Sequence, residues 1–206
     1  MLSYSEMSAL TELYEQIAVC RRCELFRNAT RAVPGEGPED AELLFIGEAP
    51  GWNEDQQGRP FVGQAGQFLE QLLASINLRR DQVYIANVVK HRPPANREPL
   101  PSEIAACRPW IDRQLELIKP RMIVTLGRYS MAMFFPGKSI SKVHGTAQKK
   151  DGTIYFAMYH PAAALHQPGM RQAIEADMLK IPALLAEAHS SAEAEPPPQQ
   201  LKMFEV

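Results

Sequence analysis

The segment LLFIGEAPGWNEDQQGRPFVGQAG, residues 43–66, joins an unbroken apolar run to a loop rich in Gly and Pro. LLFIG (43–47) carries no polar side chain at either parity, which is the pattern of a strand covered on both faces. Three further short apolar runs read as strands, VYIANV (83–88), MIVTLG (122–127) and IYFAMY (154–159), the first two of them nearly continuous in apolar residues as well. Helical patterns lie between them. Leu69, Leu72, Leu73 and Ile76 share one helix face, and Ile104, Ile111, Leu115 and Ile118 share another. Ser5 and Ser102 are the expected N-caps. Strands alternating with helices specify an α/β fold: a three-layer α/β/α sandwich around a central, mainly parallel, four-stranded sheet.

At 206 residues the chain suits one well-packed domain. Its longest apolar runs fall far short of a membrane span. The first residues, MLSYSEMSAL, lack the basic and apolar regions of a secretory signal. With only three cysteines, a reducing cytoplasm is expected, where paired cysteines hold metal or do redox work. The formal charge is −2, and from His189 onward one Lys faces three acids. Residues 1–188 therefore carry 21 basic and 21 acidic groups, so any attraction to phosphate must come from local patches. A last helix is expected over 171–188, a polar, Pro-rich disordered linker over 189–199, and a separate apolar tail over 200–206.

In a parallel sheet, ligands bind beyond the carboxyl ends of the strands. GEAPG, Asn87, LGR (126–128) and HPAAALH (160–166) all fall at that rim. The 47–66 loop lacks the GK[ST] ending of a nucleotide P-loop and does not fit GxGxxG. It carries Glu48, Glu54 and Asp55 beside Phe61: carboxylates and a planar platform suit an enzyme that stacks a ring and activates water. A solvated acidic loop is the bland alternative. AVCRRCEL (18–25) holds Cys20 and Cys23 at ligand spacing, with only Cys107 to join them.

Taken in order, GEAPGxxED and GxPFVGxAG within 47–66, NVVK (87–90), RPPxNRxPLPxEI (92–104), LG (126–127) and HPA (160–162) resemble the family 4 uracil-DNA glycosylases. The likeness runs from about Ala18 to Leu185. It implies an enzyme acting as a monomer on uracil-containing DNA, with the uracil flipped into a pocket. Phe61 would stack on the base, the amide of Asn87 would read its edge, and the backbone around Ala49 would form a wall. His160 would hydrogen-bond the oxygen that gains charge. Glu48 would position water, with Glu54 as a second water-orienting group or a wall against thymine. Leu165 would wedge into the duplex, with His166, Lys142, Arg92 and Arg97 near phosphate. A non-catalytic or covalently trapping DNA-binding protein of the same superfamily is the alternative. The trapping branch has a basic, His-containing insertion before its last cysteine, which HRPPANREPLPSEIAAC (91–107) lacks, so turnover is expected.

The family also carries a [4Fe–4S] cluster on four cysteines, the last two about fifteen residues apart. Fifteen residues separate His91 from Cys107, so the implied ligands are Cys20, Cys23, His91 and Cys107. Histidine ligation of iron is chemically sound. Zinc is the rival, although 67 residues between Cys23 and His91 is long for a zinc finger. Finally, QLKMF (200–204) resembles the pentapeptide by which bacterial repair proteins dock on the sliding clamp, with Gln200, Leu201, Met203 and Phe204 as the contacts.

Overall fold

A computed structural model describes residues 7–165 and 167–193. Five strands form one sheet: β1 (Leu43–Gly47), β2 (Tyr84–Asn87), β3 (Met122–Leu126), β4 (Ala147–Lys150) and β5 (Thr153–Met158). Their order is β2-β1-β3-β5-β4. The first four strands in that order run parallel, and β4 pairs antiparallel with β5. The helices are α1 (Ala9–Ala18), α2 (Trp52–Gln57), α3 (Gln64–Ser75), α4 (Pro101–Ile118), α5 (Arg128–Ala132), α6 (Ile140–Val143), α7 (Pro168–Met178) and α8 (Ile181–Glu193).

The three layers follow from the alternation of side chains along each strand. Leu43 and Phe45 of β1 enter a core with Leu69, Leu72 and Leu73 of α3 and Ile174 and Met178 of α7. Leu44 and Ile46 point the other way, into a core with Leu10, Leu13 and Ile17 of α1 and Ile111 and Ile118 of α4. Every residue of β1 is buried, so a polar substitution at any position would meet a core. Each fully buried Leu, Ile or Phe is worth about 1.5–3 kcal/mol.

The sheet has one strand more than expected. The additional strand, AQKK, is exposed along its whole length and therefore shows no apolar run. Its lysines suit an open edge, where charge deters pairing with another chain. Ser102 is not a cap: Leu100 occupies that place, Pro101 opens the helix, and Glu103 Oε2 accepts the Leu100 N–H at 2.7 Å. Ser8 caps α1 by accepting from the Thr11 N–H at 3.1 Å, and Ser5 lies outside the described residues. The last expected helix is two helices. Pro182 would clash with the Met178 carbonyl in a continuous helix, so the chain breaks at Leu179–Lys180 and restarts. α8 then continues to Glu193, into the stretch expected as linker. Gln200, Leu201, Met203 and Phe204 lie outside the described residues.

Candidate active site

β1 and β2 run side by side with Gly47 opposite Asn87, and both end at the same rim. A Cβ at Gly47 would stand 2.6 Å from two ring carbons of Phe61 and would collide with Asn87 Oδ1. The absence of a side chain at the end of β1 is what lets ring and amide meet there. The Asn87 side chain is buried, and its Oδ1 has no hydrogen-bond partner among the described residues. Asn87 lines the cleft, so a donor on a bound molecule can reach this acceptor.

The rim opens as a cleft with two lobes of about 280 Å³ and about 210 Å³ that share Ala49, Gly51, Asn96, His160 and Ala162. Phe61 and Asn87 line the smaller lobe and Glu48 the larger. The rings of Phe61 and His160 stack at 5.5 Å between centroids, 25° from parallel. His160 Nδ1 accepts the Ala162 N–H at 3.1 Å. The imidazole therefore carries its proton on Nε2, as a neutral donor. Burial pushes its pKa down to about 4, against a smaller opposing pull from Glu54. Gly127, at φ 89°, gives the room behind it: a Cβ there would sit 3.1 Å from His160 Cβ.

The two candidate carboxylates differ. Glu48 is half-buried with no side-chain hydrogen bond among the described residues, and burial first, then Glu98, raises its pKa while Arg128 opposes. Glu54 has both oxygens engaged: Oε1 accepts the Val62 and Gly63 N–H groups at 2.9 Å each, and Oε2 accepts Gly51 N–H at 3.1 Å. It braces the two ends of the loop against one another. Asp55 is buried and accepts the Thr30 N–H at 2.8 Å, which anchors the loop from behind.

The cysteines gather below the cleft. Cys20 and Cys107 are buried in the core between α1 and α4, and Cys23 packs against it. The Cys23 thiol lies near enough to Cys20 and Cys107 to feel both, while burial raises its pKa most. Trp110 Nε1–H donates to Cys20 Sγ at 3.3 Å. Burial pushes the Cys107 thiol up to about 11, although Lys90 draws it down. Three cysteines in one region, a Trp110 N–H on one sulfur and Lys90 beside another are donor chemistry that suits a group held by thiolates. Among the described residues no three His, Cys, Asp or Glu side chains stand as they would around a single metal ion. His91 is buried, which lowers its pKa, while Asp55 opposes that shift.

A family model described as the uracil DNA glycosylase superfamily matches residues 34–181. The chain belongs to that superfamily. It is 49% identical over 185 residues to a type-4 uracil-DNA glycosylase of Sulfurisphaera tokodaii, covering 85% of this chain and 84% of that protein. It is 45% identical over 184 residues to a type-4 uracil-DNA glycosylase of Archaeoglobus fulgidus, covering 85% and 92%. A third, from Saccharolobus solfataricus, is 44% identical over 185 residues, covering 85% and 86%.

Within the superfamily frame, the outer rim of the cleft is where DNA contacts were expected. Leu165 ends a 3₁₀ turn, Pro161–Leu165, and is 41% exposed. His166 lies outside the described residues. Lys142 stands exposed on α6. Arg92 Nε donates to Asn96 Oδ1 at 2.7 Å. Arg97 lines the larger lobe and forms a bidentate pair with the buried Glu103 at 2.9 and 2.6 Å. That pair lowers the Glu103 pKa and holds the start of α4. Arg80 escaped sequence reasoning, while Gly127 and Lys90 stood within LGR and NVVK without a role of their own. Lys90 is fully buried, and its Nζ donates to the Asn87 carbonyl at 3.0 Å and to Gln114 Oε1 at 2.8 Å. A lysine inside the otherwise apolar run before His91 is the signal that could have singled it out. No helix among the described residues is long and apolar enough to cross a membrane.

Proposed function

We propose that this chain is a monofunctional uracil-DNA glycosylase that flips uracil out of DNA and hydrolyses its N-glycosidic bond, opening base excision repair. The observation that carries this is the unpartnered Asn87 Oδ1 at the floor of the cleft. Uracil offers N3–H to that oxygen and O4 to the amide nitrogen. Cytosine presents a lone pair at N3 and an amino group at C4, so it would leave both amide atoms opposed.

The remaining residues divide the chemistry. Phe61 gives the flipped ring an apolar face. As the glycosidic bond breaks, electrons pass to the base, and the Nε2–H of neutral His160 donates to the oxygen that gains charge. No proton need be transferred for this. Glu48, without a side-chain hydrogen bond among the described residues, orients water toward the cationic sugar and balances its charge; water oxygen bonds to the sugar carbon, its proton passes by way of Glu48 to solvent, and uracil leaves as the anion. Glu54 shapes the loop that positions Phe61 and the Ala49 backbone, a role set by its three backbone bonds.

The assay is uracil release from a uracil-containing oligonucleotide. The expected products are free uracil and an intact strand with an abasic site, at many turnovers per enzyme and with no SDS-stable adduct. No release, or one equivalent trapped as an adduct, would overturn the proposal.

We also propose that Cys20, Cys23, His91 and Cys107 hold a [4Fe–4S] cluster. When bound, it ties the segment after α1 to the loop before α4. The protein purified without oxygen should contain about four irons per chain and absorb in the visible, and His91→Ala should lower that content. Colourless protein with one zinc per chain would exclude the cluster. Unpaired cysteines suit a reducing compartment, and we place the protein in the cytoplasm.

Leu165 is the proposed wedge, with Lys142, Arg92 and His166 near phosphate. Arg97 contributes through its hold on Glu103. The proposed tail, Gln200, Leu201, Met203 and Phe204, tethers the enzyme to the sliding clamp. Phe204→Ala should abolish clamp capture while leaving excision from short oligonucleotides unchanged; capture undiminished by that change would rule the tether out.

A further inference from the structure

We infer that Arg80 is a positioning residue for base recognition, holding the backbone of Phe61 so that the stacking ring stays in register with the Asn87 amide. The inference rests on the uracil-excision reading above.

Phe61 has φ 52°, a left-handed conformation that is strained for a residue with a bulky side chain. Such a conformation persists only where its surroundings impose it. Arg80 supplies that constraint. Its Nη1 donates to the Phe61 carbonyl at 2.9 Å, and its Nη2 donates to the Pro60 carbonyl. The guanidinium spends its fork on two successive carbonyls. A lysine, with a single ammonium, could not hold both in the same geometry.

Arg80 is itself fixed. Its side chain is only 13% exposed and stands 3.4 Å from Glu36 and 3.7 Å from Glu70. Glu36 also binds Arg59 through two bonds, at 2.8 and 2.6 Å, and this pairing holds its carboxyl below the usual range. Glu36 is no loose anchor, because its N–H and C=O exchange hydrogen bonds with Ile85 of β2 at 2.9 and 2.8 Å. Ile85 lies two residues before Asn87 on the same strand. One continuous path of short contacts thus runs from the strand that carries the base-reading amide, through Glu36 and Arg80, to the backbone of the stacking ring. From the opposite side, Gly66 lets α3 press on Phe61: a Cβ there would collide with its carbonyl. A surface ion pair would need none of this.

The test is a double-mutant cycle on single-turnover uracil excision with wild type, Arg80→Met, Phe61→Ala and the double variant. Arg80→Met should excise roughly 10- to 100-fold more slowly. It should need more free uracil for product inhibition, and its affinity for uracil-free DNA should not change. In the Phe61→Ala background the same change should cost nothing further, because the ring it positions is gone. Arg80→Lys should fall between wild type and Arg80→Met; should Arg80→Met fail to fold by circular dichroism, Arg80→Lys and Glu36→Gln complete the same cycle. Additive losses, or a parallel loss of affinity for uracil-free DNA, overturn the inference while leaving excision intact. An inactive wild type overturns the excision reading and this inference with it.

Discussion

His160→Ala should slow single-turnover uracil excision about 10²- to 10³-fold, the usual loss when one donor to a developing oxyanion is removed. The expectation follows from the tautomer. Because Nδ1 accepts the Ala162 N–H, the ring must present Nε2–H to the cleft. Its pKa, pushed down to about 4 by burial, keeps it neutral through the working range, so its donor strength should not vary with pH there. The acid limb of the rate profile should belong to Glu48, whose pKa is raised by burial, and should vanish in the residual activity of Glu48→Gln but survive in that of His160→Ala. Stability behaves differently. The native imidazole titrates near 4 and the ordinary one near 6.5. Between those values the unfolded chain binds a proton that the native chain refuses. The stability that His160 contributes is therefore whole above pH 6.5 and drains away as pH falls through that window. Removing the imidazole should flatten that part of the unfolding profile. A profile of equal slope in wild type and His160→Ala would contradict the assignment.

The parts of the fold that were legible in sequence are those where one physical demand acts alone. β1 is apolar at every position because helices cover both its faces, and a run of that kind has few other uses. Asn87 stood out as a polar group ending such a run. β4 escaped because an exposed edge strand has no burial to record, only lysines that keep the edge open. The break before α8 was written in Pro182 and simply outweighed by the helical spacing around it. The start of α4 was written too, since Pro101 opens the helix and Glu103 sits where a carboxylate can reach back to Leu100. Other features come only from tertiary contacts. Nothing local distinguishes Glu48 from Glu54; one is left free because the other has three backbone donors folded onto it. Arg97 lines the cleft, and only the fold shows that it is also paired with a buried carboxylate six residues away. Arg80 is one of two adjacent arginines after α3, and only the folded loop tells which of them grips Phe61.

Asn87→Ala should separate function from stability most cleanly. Its loss removes a donor and an acceptor from a buried base edge, and excision should fall roughly 10²- to 10³-fold. Yet the same change should leave the melting temperature nearly unchanged. Among the described residues the amide oxygen has no protein partner, so truncation breaks no hydrogen bond within the fold while opening a small cavity. Most buried polar groups are bound by their own fold, and removing them costs stability. This one has no partner within the fold among the described residues, and on the excision reading a base bearing N–H supplies it. The Asn87 backbone is held independently, by Lys90 at its carbonyl and by the pairing of β2 with β1, so the strand should not move when the side chain goes. Thermal unfolding beside single-turnover kinetics decides the matter. A variant that loses activity and melts several degrees lower would mean that Asn87 is a structural residue, and that the oxygen is satisfied in a way the cleft geometry does not require. A variant that keeps full activity would mean that the uracil edge is read elsewhere.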